Sequence, residues 1–195
     1  MLYKLADLYY RQDIIELYKY GVFNYINYFD LLNRFKISGY KTYHLQINKR
    51  RSYIIEDNKS IEYKIDNKRH RDNDKPAVKY ANGTKYWCKN GKLHRDNDKP
   101  AIEYASGTKK WYQNGKLHRD NDKPALEYAD GTKFWYQNDK LHRDDDKPAI
   151  EYAHGTKYWC KNGKLHRDND NPAIEYADGT KEWYQNDVFI RKSQI

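Results

Sequence analysis

Five histidines, His70, His94, His118, His142 and His166, stand 24 residues apart. Each is followed by an Asp-x-Asp pair: Asp72/Asp74, Asp96/Asp98, Asp120/Asp122, Asp144/Asp146 and Asp168/Asp170. Such residues could bind a metal or move a proton. The ligands of one zinc ion must converge to within ~2.1 Å of it. Histidines two strand spacings apart on a sheet are about 10 Å from one another, so the series does not make one zinc site. Calcium takes about six to eight oxygens, and each Asp-x-Asp corner offers two carboxylates beside Lys or Asn. That composition fits an Asx-type turn with Arg–Asp pairing.

An active site is one unique constellation of groups. Here every promising residue recurs in equivalent surroundings. Copies at a fixed period report a structural requirement. The expectation is therefore a non-enzyme, with no metal and no cofactor. His44 and His154 lie outside the series, and neither has an evident nucleophile or acid beside it.

The residues that must position the histidines share their period. Trp87, Trp111, Trp135, Trp159 and Trp183 are all the tryptophans of the chain, and Pro76, Pro100, Pro124, Pro148 and Pro172 all its prolines. One unit reads HRDNDKPAIEYASGTKKWYQNGKL, residues 94–117. A fixed period of this length marks a repeat array. Units fall near 51–69, 70–93, 94–117, 118–141, 142–165 and 166–191. The first has Tyr63 at the Trp offset, and the last has Ile190 at the His offset, as terminal repeats with a missing neighbour do.

Two turn signals punctuate each unit, an Asn-Gly type such as Asn114-Gly115 and an X-Gly type such as Ser106-Gly107. Between them lie β-favouring runs such as TKYWCK. The fold class expected is mainly β: an elongated antiparallel β-hairpin repeat array over 46–195, with a small α-helical N-terminal cap over 1–45. The cap rests on the helical spacing in DIIELYKYG and YINYFDLLNRF. If both turns are two-residue loops, Ile102 faces Trp111 across the first and Trp111 faces His118 across the second. Ile102, Tyr104, Trp111 and His118 then share one face. The five Trp and five His form the expected structural core of the repeat.

Composition narrows the role. Only 38% of the chain is hydrophobic and 33% is charged, yet 16% is aromatic. That suits a thin aromatic sheet better than a thick aliphatic core or a disordered chain. No apolar run reaches the ~20 residues of a membrane span. The opening MLYKLADLYYRQD lacks the apolar stretch and cleavage site of a signal peptide. Cys88 and Cys160 sit at equivalent repeat positions with Tyr in the repeats between, which suits buried thiols in a reducing compartment rather than a disulfide.

The pattern W-Y-x-N-G-K-x-H-R-D-x-D-x-P-A resembles MORN-type repeat variants, and is similar to repeat proteins encoded by giant DNA viruses of the mimivirus group. The resemblance covers about residues 51–191. It implies rows of β-hairpins, a scaffolding, membrane-apposition or partner-binding role, and residence in host cytoplasm or virion. His94-Arg95 is followed by Asp96 where the standard MORN pattern has Gly, so its lipid-binding role does not transfer. The function expected is non-catalytic protein–protein interaction or scaffolding. One alternative is nucleic-acid binding. Lys49-Arg50-Arg51 and Lys68-Arg69-His70-Arg71 are basic and the net charge is +9, but interleaved Asp and Glu weaken a phosphate track. Another is an F-box-like adaptor, from the likeness of FDLLNRFKIS to the tail of that motif.

Overall fold

The computed structural model describes residues 42–46, 50–56 and 60–193, and the chain falls into two compact units, 1–68 and 69–195. The two helices expected before residue 36 lie outside the described residues. Within the 1–45 segment, Thr42–Gln46 is a strand. In the first unit it pairs antiparallel with Arg51–Glu56, which pairs with Ile61–Ile65. Ile61 and Tyr63, the latter at the Trp offset, are buried. Arg50 holds Asp66 through a bidentate fork, Nε and Nη2 to the carboxylate at 3.0 and 2.7 Å.

The second unit is built entirely of strands among its described residues. Eleven of them form one antiparallel sheet in which spatial order follows chain order, from Val78–Lys79 to Val188–Lys192. Each repeat contributes two, and the last adds a third, Val188–Lys192. In the 94–117 repeat these are Ile102–Glu103 and Lys109–Lys110, and the latter pairs onward with Leu126–Glu127 of the next repeat. Four small side hairpins stand off this ladder, such as Tyr112–Gln113 with Lys116–Leu117.

The side hairpins have the two-residue loop that Asn-Gly predicts. Asn114 and Gly115 take φ of 53° and 87°, and Gln113 faces Lys116 and Tyr112 faces Leu117. The other loop corrects the expected register. It spans three residues, Ala105-Ser106-Gly107, with only Gly107 at positive φ, and the N–H of Tyr104 donates to the carbonyl of Thr108. This is the three-residue hairpin closed by a left-handed glycine. The extra residue shifts pairing by one, so Ile102 faces Lys110 and not Trp111. A one-residue slip exchanges sheet faces. Trp111 instead bonds its N–H to the carbonyl of Ala125 in the next repeat, which puts it on the face opposite Ile102.

That exchange explains the invariant small residue after proline. Ala149 takes the N–H of Trp135 on its carbonyl and donates its own N–H to Tyr158. Ala77, Ala101, Ala125, Ala149 and Ala173 have no exposed surface. A larger side chain would meet indole on a close-packed face. On the other face Val78, Ile102, Leu126, Ile150 and Ile174 are 3–6% exposed, and each such burial stabilises by about 1.5–3 kcal/mol.

The Asp-x-Asp segment is a third tight turn. Asn121 and Asp122 both have positive φ, 61° and 53°, so Leu-His-Arg and Pro-Ala-Leu-Glu are separate segments joined by a sharp corner. Asn and Asp tolerate this region better than other non-glycine residues.

The last repeat departs from this plan for a visible reason. Elsewhere the N–H of Trp is drawn onto the next repeat's Ala, and the strand breaks there. Residues 188–193 do not repeat the pattern after Trp183. Lys181–Gln185 therefore runs on as one five-residue strand, and Val188–Lys192 folds back along it with a register shift at Trp183/Tyr184.

Candidate functional site

The corner turns and the tryptophans assemble one cell per repeat. Trp111 is buried, and its Nε1–H donates to the backbone carbonyl of Asp98 at 3.1 Å. The guanidinium of Arg119 lies over its ring, 3.8 Å from the centroid. Arg119 also grips the Asp98 carboxylate with Nε and Nη2, at 2.6 and 3.2 Å. Its Nη1 donates to the carbonyl of Pro124 and to Glu127. Lys123 adds a 2.6 Å contact to Asp98. Arginine suits this place because one planar cation can stack and make a two-toothed bond together. The Arg119 side chain is 13% exposed, so its charge is largely removed from water and depends on these partners.

The cell recurs with Trp87 and Arg95, Trp135 and Arg143, and Trp159 and Arg167. Trp183, with Arg191 over it at 4.4 Å, is only half-buried. The arginine and lysine beside Asp74, Asp98 and Asp122 hold those carboxyls at about 2. At Asp146 the lysine position is Asn171, and Arg167 lowers that carboxyl without a second cation.

The histidines occupy a separate rung. His94 Nε2 bonds the Asp96 carboxylate at 2.9 Å, and its Nδ1 accepts the backbone N–H of Asn114 at the far end of the same repeat, at 3.0 Å. An N–H donor aimed at Nδ1 fixes the proton on Nε2. His118, His142 and His166 repeat the arrangement, as does His70 with Asp72 and Asn90. The structure brings Trp and His together through the backbone, His118 N–H to Trp111 carbonyl, while the ring contact of Trp111 is with Arg119. No group of three or more His, Cys, Asp or Glu among the described residues could hold a metal ion.

Two periodic series escaped the sequence reading as cores. Arg95, Arg119, Arg143, Arg167 and Arg191 are the hubs of the cells. Thr84, Thr132 and Thr156 are buried and accept the N–H of Ala105, Ala153 and Ala177 from the following repeat. The signal was present: Arg191 persists in the last repeat where histidine has become Ile190.

The face that carries the Ile row also carries an aromatic band. Tyr80, Tyr86 and Tyr104 meet edge to face, with centroids 5.3 and 6.3 Å apart. Tyr128, Phe134, Tyr152 and Tyr158 form a second run at 5.6–5.9 Å. Between the runs stands Lys110, its Nζ over the Tyr104 ring. At the far end Glu182 takes hydrogen bonds from the hydroxyls of Tyr176 and Tyr184. Burial, then the charge of Glu182, pushes the Tyr176 phenol up to about 12. Most of these rings are half-buried, and Tyr128 is 43% exposed.

Cys88 and Cys160 are free and buried, and burial pushes the Cys160 thiol up to about 12, far from a reactive thiolate. No helix among the described residues is long and apolar enough to cross a membrane. No family model and no curated protein matches this chain.

Proposed function

We propose that the chain is a non-catalytic repeat scaffold that binds a protein partner on the aromatic face of its sheet. The carrying observation is the band of half-exposed rings from Tyr80 to Tyr158, set out on a ladder of inter-repeat bonds. Tyrosine supplies large contact area at low conformational cost, and it is enriched at protein interfaces. On the opposite face the ionisable groups are committed to rungs that recur in every repeat. That supports a structural role for His70, His94, His118, His142 and His166. The hairpin-per-repeat plan also supports kinship with MORN-type arrays, as does a setting inside a cell or virion where Cys88 and Cys160 stay reduced.

The test is affinity capture from the native cell with the full chain and with a Tyr128→Ser/Tyr152→Ser variant whose melting curve matches it. Proteins retained by the first and lost by the second support the reading. Capture of nucleic acid instead, with a steep loss of binding on added salt, would replace it.

A further inference from the structure

Tyr80, Tyr104, Tyr128, Tyr152 and Tyr176 hold one offset of the repeat, two residues past the buried aliphatic row, and so stand on its face of the sheet. Each is half-buried or exposed. The row beside them is Tyr86, Lys110, Phe134, Tyr158 and Glu182. Its rings bridge successive tyrosines edge to face, Phe134 at 5.7 Å from Tyr128 and 5.9 Å from Tyr152. Up to Tyr158 the two rows carry one cation, Lys110, and no carboxylate. Lys110 lies over the Tyr104 ring and pairs with no described carboxylate. Glu182, at the far end, is held by Lys192 at 3.3 Å and by the hydroxyls of Tyr176 and Tyr184. The hydroxyls of Tyr128 and Tyr152 go to no described residue.

The spacing of the tyrosine row restricts what can lie along it. Successive repeats are two strands apart, about 9.6 Å. An extended β-strand returns a side chain to one face every second residue, about 6.7 Å. An α-helix does so after one turn, about 5.4 Å, or after two, about 10.8 Å. A polyproline II segment does so every third residue, about 9.3 Å. Over the three steps from Tyr80 to Tyr152 that segment drifts by about 1 Å and the α-helix by about 3 Å. The carbonyls of polyproline II carry no internal hydrogen bond, so phenol O–H groups can donate to them. Prolines in this form dock on aromatic-lined grooves. Charge points the same way. Rows that are neutral apart from Lys110 complement a neutral segment bearing one acid, whereas a phosphate chain needs a track of cations.

Resting on the aromatic-face reading above, we propose that the tyrosine row seats a proline-rich segment of the partner protein, laid across the strands in the polyproline II conformation. Prolines three residues apart stack on Tyr128 and Tyr152, and an acidic side chain meets Lys110.

Isothermal titration calorimetry of the full chain tests it. The probes are an oligoproline of about twelve residues, the same peptide with one central glutamate, and a glycine–serine peptide of equal length. The glutamate peptide should bind tightest, the oligoproline next, and the glycine–serine peptide not at all. The Tyr128→Ser/Tyr152→Ser variant raises the dissociation constant of both proline peptides about tenfold or more. Lys110→Tyr places there the residue that Tyr86 and Tyr158 hold at the same offset, so the fold is kept even where the double variant loosens the sheet. It removes the preference for glutamate and keeps oligoproline binding. No binding of either proline peptide up to about 1 mM overturns the proposal and leaves the aromatic-face reading to its own capture test. Proline peptides bound undiminished by the tyrosine double variant overturn both. A glutamate preference that survives in Lys110→Tyr overturns the proposal alone, as does an oligothymidylate bound more tightly than either proline peptide.

Discussion

At the scale of single residues, arginine rather than histidine or tryptophan is the centre of each repeat. Arg119 reaches a ring, two carboxylates and a carbonyl from one position. Lysine at that site keeps the charge but loses the fork and the stacking plane. Arg119→Lys is expected to cost about 1.5–3 kcal/mol, the scale of hydrogen bonds to a charged group. The measurement is the urea midpoint at unchanged slope. Acid offers an independent probe of the same cell. Asp74, Asp98 and Asp122 titrate at about 2, below the ordinary carboxylate value of 3.8. A depressed folded value contributes stability that is complete above the unfolded value and lost as pH falls through the folded one. Melting temperature should therefore hold from neutral pH down to about 4 and then drop towards about 2. Asp98→Asn should begin less stable at neutral pH and lose less across that window. An equal loss in both proteins would show that other carboxyls carry the acid transition.

At the scale of elements, the three turns differ in how plainly the sequence announces them. Asn114-Gly115 was legible because both residues need positive φ and both suit it. Ser106-Gly107 was not, because an X-Gly pair serves a two-residue and a three-residue loop equally well. A clue lay in the residue before that glycine, which varies through Asn82, Ser106, Asp130, His154 and Asp178. Ser106 would resist the left-handed region that a two-residue loop demands. Missing it moved every tryptophan to the wrong face. The Asp-x-Asp corner was read as a turn. The Arg–Asp pairing expected there is present, but the arginine that Asp98 meets, Arg119, belongs to the next repeat, as does Lys123. Local sequence does not carry that reach, since it depends on a neighbour 21 residues away. The side hairpins provide a test of the same turn logic. Where glycine is replaced, Asp139 and Asp187 hold φ of 68° and 71°, and each carboxylate accepts a Leu N–H of the preceding repeat at 2.7 Å. A Cβ at Gly163 would stand 3.8 Å from Lys140, so the space exists. Gly163→Ala should cost about 1–2 kcal/mol from the left-handed backbone alone. Gly163→Asp should recover much of that through the Leu141 N–H. Equal melting temperatures for the two variants would contradict this account of the carboxylate.

At the scale of the whole molecule, the second unit is a sum of cells and nearest-neighbour rungs. The rungs are the main-chain ladder, Asp to Arg and Lys, Thr to Ala, and the side-hairpin bond from Gly115 N–H to the Leu93 carbonyl. Each joins a repeat only to the next. Stability should then scale with repeat number, without a central core whose loss unfolds everything. Removing residues 118–141 joins Leu117 to His142, the same junction that Leu141 makes with His142 in the intact chain. Asp98 then meets Arg143 and Lys147 in place of Arg119 and Lys123. Lys110 meets Ile150 in place of Leu126. The Asn162 N–H keeps His142. Every rung is restored because the period is kept, so the shortened protein should fold and unfold cooperatively. Its denaturant slope should fall by about a fifth if the second unit unfolds as one, since that slope follows the surface exposed. Deleting only residues 118–129 is the matched control. It removes a corner and one main-sheet strand but leaves their partners, so Asp98 and Trp111 face the wrong segment and Arg143 has lost the Asp122 carboxylate, keeping only that of Glu151. That protein should lose its cooperative transition. If both deletions are tolerated alike, the ladder of rungs is not what holds the repeats in register.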